Sequence, residues 1–153
     1  NAEFRTLRGA ANTFAMGSSM GGLMSYHLVK EHPDVFGACG CVSSHFVLSP
    51  QNYANMFAAG EEADSTPYIV SDINSGANLP DGARFFFDYG TESLDSTYHE
   101  DHEPVRAWFR EQGRVEGKDF RMQKYDGADH SERAWRARVL DQLEWLLGDG
   151  QGS

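Results

Sequence analysis

The sequence predicts an α/β protein: a parallel sheet of about four strands flanked by helices. Apolar runs of strand length alternate with segments of helical spacing, in the order β-α-β-(loop)-β-α-β-α. The stretch "VFGACGCVSS" is rich in small residues, which let helices pack close against a sheet. With 40% hydrophobic and 12% aromatic residues, the 153-residue chain has material for the core of one domain or part of one.

The first strand is read in "NTFAMG" (12–17), a short buried run ending in glycine. "MGGLMSYHLVKEH" (20–32) follows as a helix that is apolar on several sides and stopped by Pro33. The second strand lies in 35–44. Residues 50–81 carry turn signals and weak periodicity, which predict a loop with one or two short helices walling a site. "ARFFFDYG" (83–90) is a third strand. Tyr98, His102, Val105 and Phe109 then recur at helical spacing, with Gly113 as the cap. Pro104 inside that pattern either starts the helix or kinks it. "KDFRMQKYDG" (118–127) alternates like a fourth strand, and Trp135, Val139, Leu143, Leu146 and Leu147 mark an amphipathic closing helix.

Bulk properties exclude several classes. The net charge of −10 repels phosphate backbones, so nucleic acid is not an expected partner. No apolar run approaches the length of a membrane span. Cys39 and Cys41 stand two apart in a strand and so face the same way; they read as small core residues, since a disulfide there would be strained. His99 and His102 flank "ED" on a face that reads as solvated, and with scattered carboxylates they make a poor metal site. Neither a metal nor a cofactor is expected.

In a parallel sheet the chemistry gathers at the carboxyl ends of the strands. Here those are residues 17–21, 43–46, 90–96 and 127–131. The first group, Gly17-Ser18-Ser19-Met20-Gly21, fits G-x-S-x-G between a strand and a helix. A serine on so tight a turn is exposed in strained geometry, and side chains at Gly17 or Gly21 are expected to collide with neighbouring backbone. The turn sets the Met20 backbone N–H beside the Ser19 oxygen at a helix N-terminus, where it could hold an oxyanion. Ser18 reads as structural within the turn and, with His45, as a candidate for lining the cleft.

A nucleophilic serine needs a base and an orienting acid. His130 in "GADHSERAW" lies between the last strand and the closing helix; His27 and His32 belong to the first helix and fit less well. Asp95 and Glu92 lie just past the third strand, with Asp95, further into the loop, freer to reach an imidazole. Asp88, inside the strand, and Asp129, adjoining His130 in sequence, are weaker candidates. The chain order Ser, acid, His is that of the α/β-hydrolase triad. Trp135 is expected to pack the closing helix beneath the His130 loop.

Three segments carry a resemblance: "MGSSMGGLMSYHLVKEHPDVFGACGCVSS", "DYGTESLDSTYHE" and "GADHSERAWRARVLDQLEWLL". They resemble the putative-esterase family of α/β-hydrolases, which includes S-formylglutathione hydrolases, feruloyl and acetylxylan esterases, enterochelin esterases and antigen 85-type mycolyltransferases. The resemblance implies Ser19 as nucleophile, His130 as base and Asp95 as acid, with Glu92 the alternative because members place their acid differently in this loop. It implies carboxylic-ester hydrolysis through an acyl-enzyme. An acyltransferase of the same fold and a non-catalytic hydrolase-like module are the rival readings. Against a full member, residues 1–153 correspond to a partial domain, the C-terminal half from the nucleophile elbow to the closing helix. The expectation is that the N-terminal strands are absent and that a complementary chain or a second copy completes the sheet beside "NTFAMG", supplying the second oxyanion donor.

Overall fold

The structure is a computed structural model that describes residues 6–46, 72 and 75–148. Most of the 50–81 segment lies outside the described residues, so the expected loop and short helices there are not discussed further. After a 3-10 turn at Ala10–Asn12, the order is β1 (Phe14–Ser18), α1 (Met20–Glu31), β2 (Ala38–Val42), β3 (Arg84–Gly90), a second 3-10 segment (Ser93–Thr97), α2 (Tyr98–Glu111), β4 (Phe120–Tyr125) and α3 (Glu132–Leu147).

The four strands form one parallel sheet in the order β1-β2-β3-β4. Ala15 lies beside Cys39, Cys39 beside Phe85, and Phe85 beside Phe120. Since every strand points the same way, all carboxyl ends open at one end of the sheet.

The pleat of β3 divides the core. Phe85 and Phe87 face α1 and α2, where they pack with Tyr26, Val29, Val105 and Phe109. Phe86 faces the other way, against Trp145 and Leu146 of α3. Helices therefore cover both faces, as alternation of strand and helix requires. Cys39 and Cys41 are free, buried thiols in the first of these cores. Their sulfurs are 3.1 Å apart, and burial pushes the Cys41 thiol up.

Three expectations are corrected. Of the two readings of Pro104, only the helix start is excluded: α2 runs through it from Tyr98 to Glu111. His102 is not on a solvated face but fully buried, its ring centroid 4.4 Å from that of Tyr89 and 5.1 Å from that of Phe46. The buried face of α3 holds Arg138, Gln142, Trp145 and Leu146, while Leu147 is exposed. An apolar pattern missed this because the helix packs over Asp88, a carboxylate inside β3 that needs polar partners.

Candidate active site

The turn after β1 is strained at Ser19, whose φ of 55° and ψ of −123° lie outside the ordinary regions for a side-chain-bearing residue. Ser19 precedes α1 yet makes no side-chain capping hydrogen bond, so its hydroxyl is not spent on the helix end. A Cβ at Gly17 would lie 2.5 Å from the Gly21 carbonyl oxygen, so only glycine fits at Gly17. Gly21 departs from expectation, because a Cβ there meets nothing within 4 Å among the described residues. The close second approach is at Gly22 instead, 3.3 Å from the Cys41 Cα, because the helix lies against β2 one residue later. Met20 opens α1 with an exposed side chain and its N–H in the first turn, where helix N–H groups lack intrahelical partners. Ser18, the last residue of β1, is half-buried.

The loops after β3 and β4 are bound to each other. Thr91 and Glu92 both donate their N–H to the Ala128 carbonyl at 3.0 Å. Gly127 N–H donates to Thr91 Oγ1 at 2.8 Å, and His130 N–H to Ser93 Oγ at 2.9 Å. Gly90 permits this approach, since a Cβ there would stand 2.1 Å from the Ala128 carbonyl oxygen.

The consequence is a direct contact between Asp95 and His130, Oδ1 to Nδ1, at 2.5 Å. Glu92 is exposed and makes no such contact. Asp95 Oδ2 is occupied otherwise: it accepts from the Gly90 N–H at 2.6 Å and the Ser43 hydroxyl at 2.5 Å, with Arg138 at 3.5 Å. With Asp95 acting as acceptor, His130 Nδ1 is assigned the proton and Nε2 is left as the basic nitrogen. Trp135 stands edge-on to the His130 ring, centroids 5.0 Å apart.

Tyr98 is a neighbour of both Ser19 and His130. The Ser19 hydroxyl lies beside the Tyr98 phenol, and the Tyr98 ring meets His130 edge to face, centroids 5.8 Å apart. No direct hydrogen bond joins Ser19 to His130 among the described residues. Burial pushes the Tyr98 phenol well up, with Asp95 adding to the effect and Ser19 opposing it.

His45 is buried, its Nδ1 2.7 Å from the Tyr98 oxygen. Burial lowers its pKa first and the neighbouring His130 second, so it sits behind Tyr98 as a neutral imidazole. Asp88 anchors the other side of the site: it accepts from the Ser43 N–H at 2.8 Å, from Arg138 at 3.0 Å and from Gln142 at 2.5 Å. Burial raises the Asp88 pKa, and the Arg138 guanidinium is the largest of the effects holding it down. Asp129 bonds Ser131 and Arg133 instead of joining His130.

Sequence reasoning missed Tyr98, Ser43, Arg138 and Gln142 as parts of the site. A signal existed for two of them: a carboxylate inside "FFFDYG" demands a buried cation, and Arg138 and Gln142 share the spacing of Trp135 and Trp145. Among the described residues, no group of three or more His, Cys, Asp or Glu could hold a metal ion. None of their helices is long and apolar enough to cross a membrane.

A family model described as "Putative esterase" matches residues 1–146. No curated protein sequence matches the chain significantly. Among solved structures, the enterobactin esterase of Shigella flexneri superposes with a TM-score of 0.66 at 17% identity, covering 90% of this chain and 32% of its own. An S-formylglutathione hydrolase from Staphylococcus aureus gives 0.63 at 16% identity, covering 95% and 55%. A fluorophosphonate-binding serine hydrolase from Staphylococcus aureus, with substrate bound, gives 0.66 at 13%, covering 97% and 59%. These likenesses establish a shared α/β-hydrolase-like fold, and the chain spans between about a third and three-fifths of the neighbours' lengths.

Proposed function

The chain belongs to the Putative esterase family, and on that premise we propose that it is a serine carboxylic-ester hydrolase working through an acyl-enzyme. Its triad is Ser19, His130 and Asp95, and its ligand a small-molecule ester. The observation that carries this reading is the 2.5 Å contact of Asp95 with His130, made at the same carboxyl end of the sheet as a serine in strained backbone geometry.

The chemistry follows from the groups present. His130 Nε2 takes the Ser19 proton as Oγ attacks the ester carbonyl, and the Met20 N–H donates to the resulting oxyanion. The alcohol departs with the proton carried by His130. Water then attacks the acyl-enzyme with His130 again as base, returning Ser19 and releasing the acid. Asp95 keeps the imidazole proton on Nδ1 and stabilises the imidazolium.

Among the described residues one oxyanion donor is proposed, where acyl-transfer sites use two, and each is worth about 10²–10³ in rate. The solved relatives are longer than this chain, and the outer side of β1 has no neighbouring strand among the described residues. A complementary segment or a second copy pairing there would complete the sheet and supply the second donor. Size-exclusion chromatography with activity in the same fractions tests this, and a fully active 17.0 kDa monomer would overturn it.

The triad is tested by fluorophosphonate labelling and p-nitrophenyl acetate turnover in the complete protein. Wild type should label at Ser19 and turn over, and Ser19→Ala should do neither. Labelling that persists in Ser19→Ala would end the proposal.

A further inference from the structure

We propose that Ser43 is a positioning residue of the site: its hydroxyl holds the Asp95 carboxylate so that the free oxygen faces His130. This rests on the reading of Asp95 and His130 as members of a triad.

The argument is one of hydrogen-bond stoichiometry. A hydroxyl has one proton to give and two lone pairs to receive. The Ser43 oxygen is approached by the Trp135 indole N–H at 2.9 Å and by an Arg138 N–H at 2.6 Å. Neither group can accept, so both lone pairs are taken. The remaining neighbour is Asp95 Oδ2 at 2.5 Å, and the Ser43 proton has nowhere else to point. Oδ2 also takes the Gly90 N–H, which leaves Oδ1 for His130.

Ser43 is itself held in place. It is fully buried just past β2, and its backbone N–H donates to Asp88. Its φ is +43°, a conformation that favours glycine, yet the residue here carries a side chain. Asp88 in turn is bound by Arg138 and Gln142 of α3. The same helix supplies Trp135, whose ring packs perpendicular to that of His130 while its N–H meets Ser43. One helix thus fixes the imidazole and, through Ser43, the carboxylate that orients it.

The positive φ allows hydroxyl and backbone to be tested separately. Ser43→Ala removes the hydroxyl and keeps the strain, while Ser43→Gly removes both. In the complete protein, both variants should lose about 10- to 100-fold in kcat/KM for p-nitrophenyl acetate, the scale of a misplaced catalytic group. In both, the downfield NMR resonance of the His130 Nδ1 proton should move upfield as the contact with Asp95 loosens. Trp135→Phe keeps a ring on His130 and removes one of the donors that direct the Ser43 proton. It should shift the resonance the same way by less, and it provides the readout if Ser43→Gly does not fold.

Wild-type activity in Ser43→Gly, or an unmoved resonance in the folded variants, would overturn the proposal. Ser19→Ala and Asp95→Asn run alongside as controls. Full activity in either would instead break the triad reading, whatever Ser43 does.

Discussion

Asp95 and His130 are joined by a 2.5 Å hydrogen bond although they come from different loops, 35 residues apart. Asp95 is fully buried and Glu92, in the same loop, is exposed. Asp95→Asn should therefore lower kcat by about 10⁴, the effect of supplying the wrong partner to the imidazole tautomer. Glu92→Gln should stay within about 2-fold of wild type, as for other surface substitutions. Steady-state kinetics on p-nitrophenyl acetate reads both, and the reverse ranking would move the acid to Glu92.

The contact depends on the approach of two loops, and Gly90 sits where they meet. A methyl group at Gly90 would fall 2.1 Å from the Ala128 carbonyl oxygen, with backbone on both sides and no flexible side chain to yield. Gly90→Ala should cost about 1–3 kcal/mol of stability, the usual range for overpacking. It should lower activity further than that loss explains, because Asp95 and His130 move apart. Thermal melts and kinetics on the same sample separate the two effects. An active Gly90→Ala enzyme with an unchanged melt would show that the loops can shift freely.

Ser19 stores backbone strain in the turn that presents it. Its φ of 55° costs on the order of 1–3 kcal/mol for a residue with a Cβ. Ser19→Gly should therefore be inactive yet more stable than Ser19→Ala, since alanine keeps the strain and glycine releases it. Equal denaturation midpoints for the two variants would mean that the turn is unstrained.

Much of this architecture was legible in the chain because its signals are local. Strand and helix lengths follow from apolar spacing, and "GSSMG" announces its turn through glycine at a position where backbone packs on backbone. The pairing of loops that carry Asp95 and His130 could be anticipated only from strand order. The polar core was not legible: Asp88, Arg138, Gln142 and Ser43 satisfy one another across separate elements, and no periodicity encodes such mutual satisfaction. Tyr98 and His102 were hidden for a related reason. Each falls at a core position of α2, so helical spacing accounts for its burial but not for its partners.

Arg138 illustrates the energetic weight of that polar core. It lies between two fully buried carboxylates, 3.0 Å from Asp88 and 3.5 Å from Asp95. Removing one partner of a buried ion pair costs about 3–5 kcal/mol, because the other charge is stranded. Arg138→Met should destabilise on that scale, and adding Asp88→Asn should restore part of the loss. Urea unfolding of the two variants and the Asp88→Asn single mutant closes the cycle. Strictly additive effects would remove the ion pair from the account of stability.

His102 should make the fold sensitive to acid. Burial lowers its pKa to about 3, while one ring nitrogen stays on the Tyr98 carbonyl at 2.8 Å and the other is enclosed without a partner among the described residues. An unfolded chain offers an ordinary imidazole that takes up a proton near pH 6.5. Between those two values the unfolded state binds the extra proton, so stability rises with pH and falls as pH drops, by about 1.4 kcal/mol per pH unit from this group. Below pH 3 the folded state binds the proton too, and the slope from His102 ends. His102→Leu removes the group, so its unfolding free energy should fall less steeply than wild type between pH 6.5 and 4. Asp88 works in the opposite sense, since its raised pKa lets the folded state take up a proton before the unfolded state does. The comparison is therefore between two proteins that both keep Asp88. Denaturant unfolding at half-unit pH intervals measures both slopes, and parallel curves would mean that the buried imidazole is already protonated or becomes hydrated within the fold.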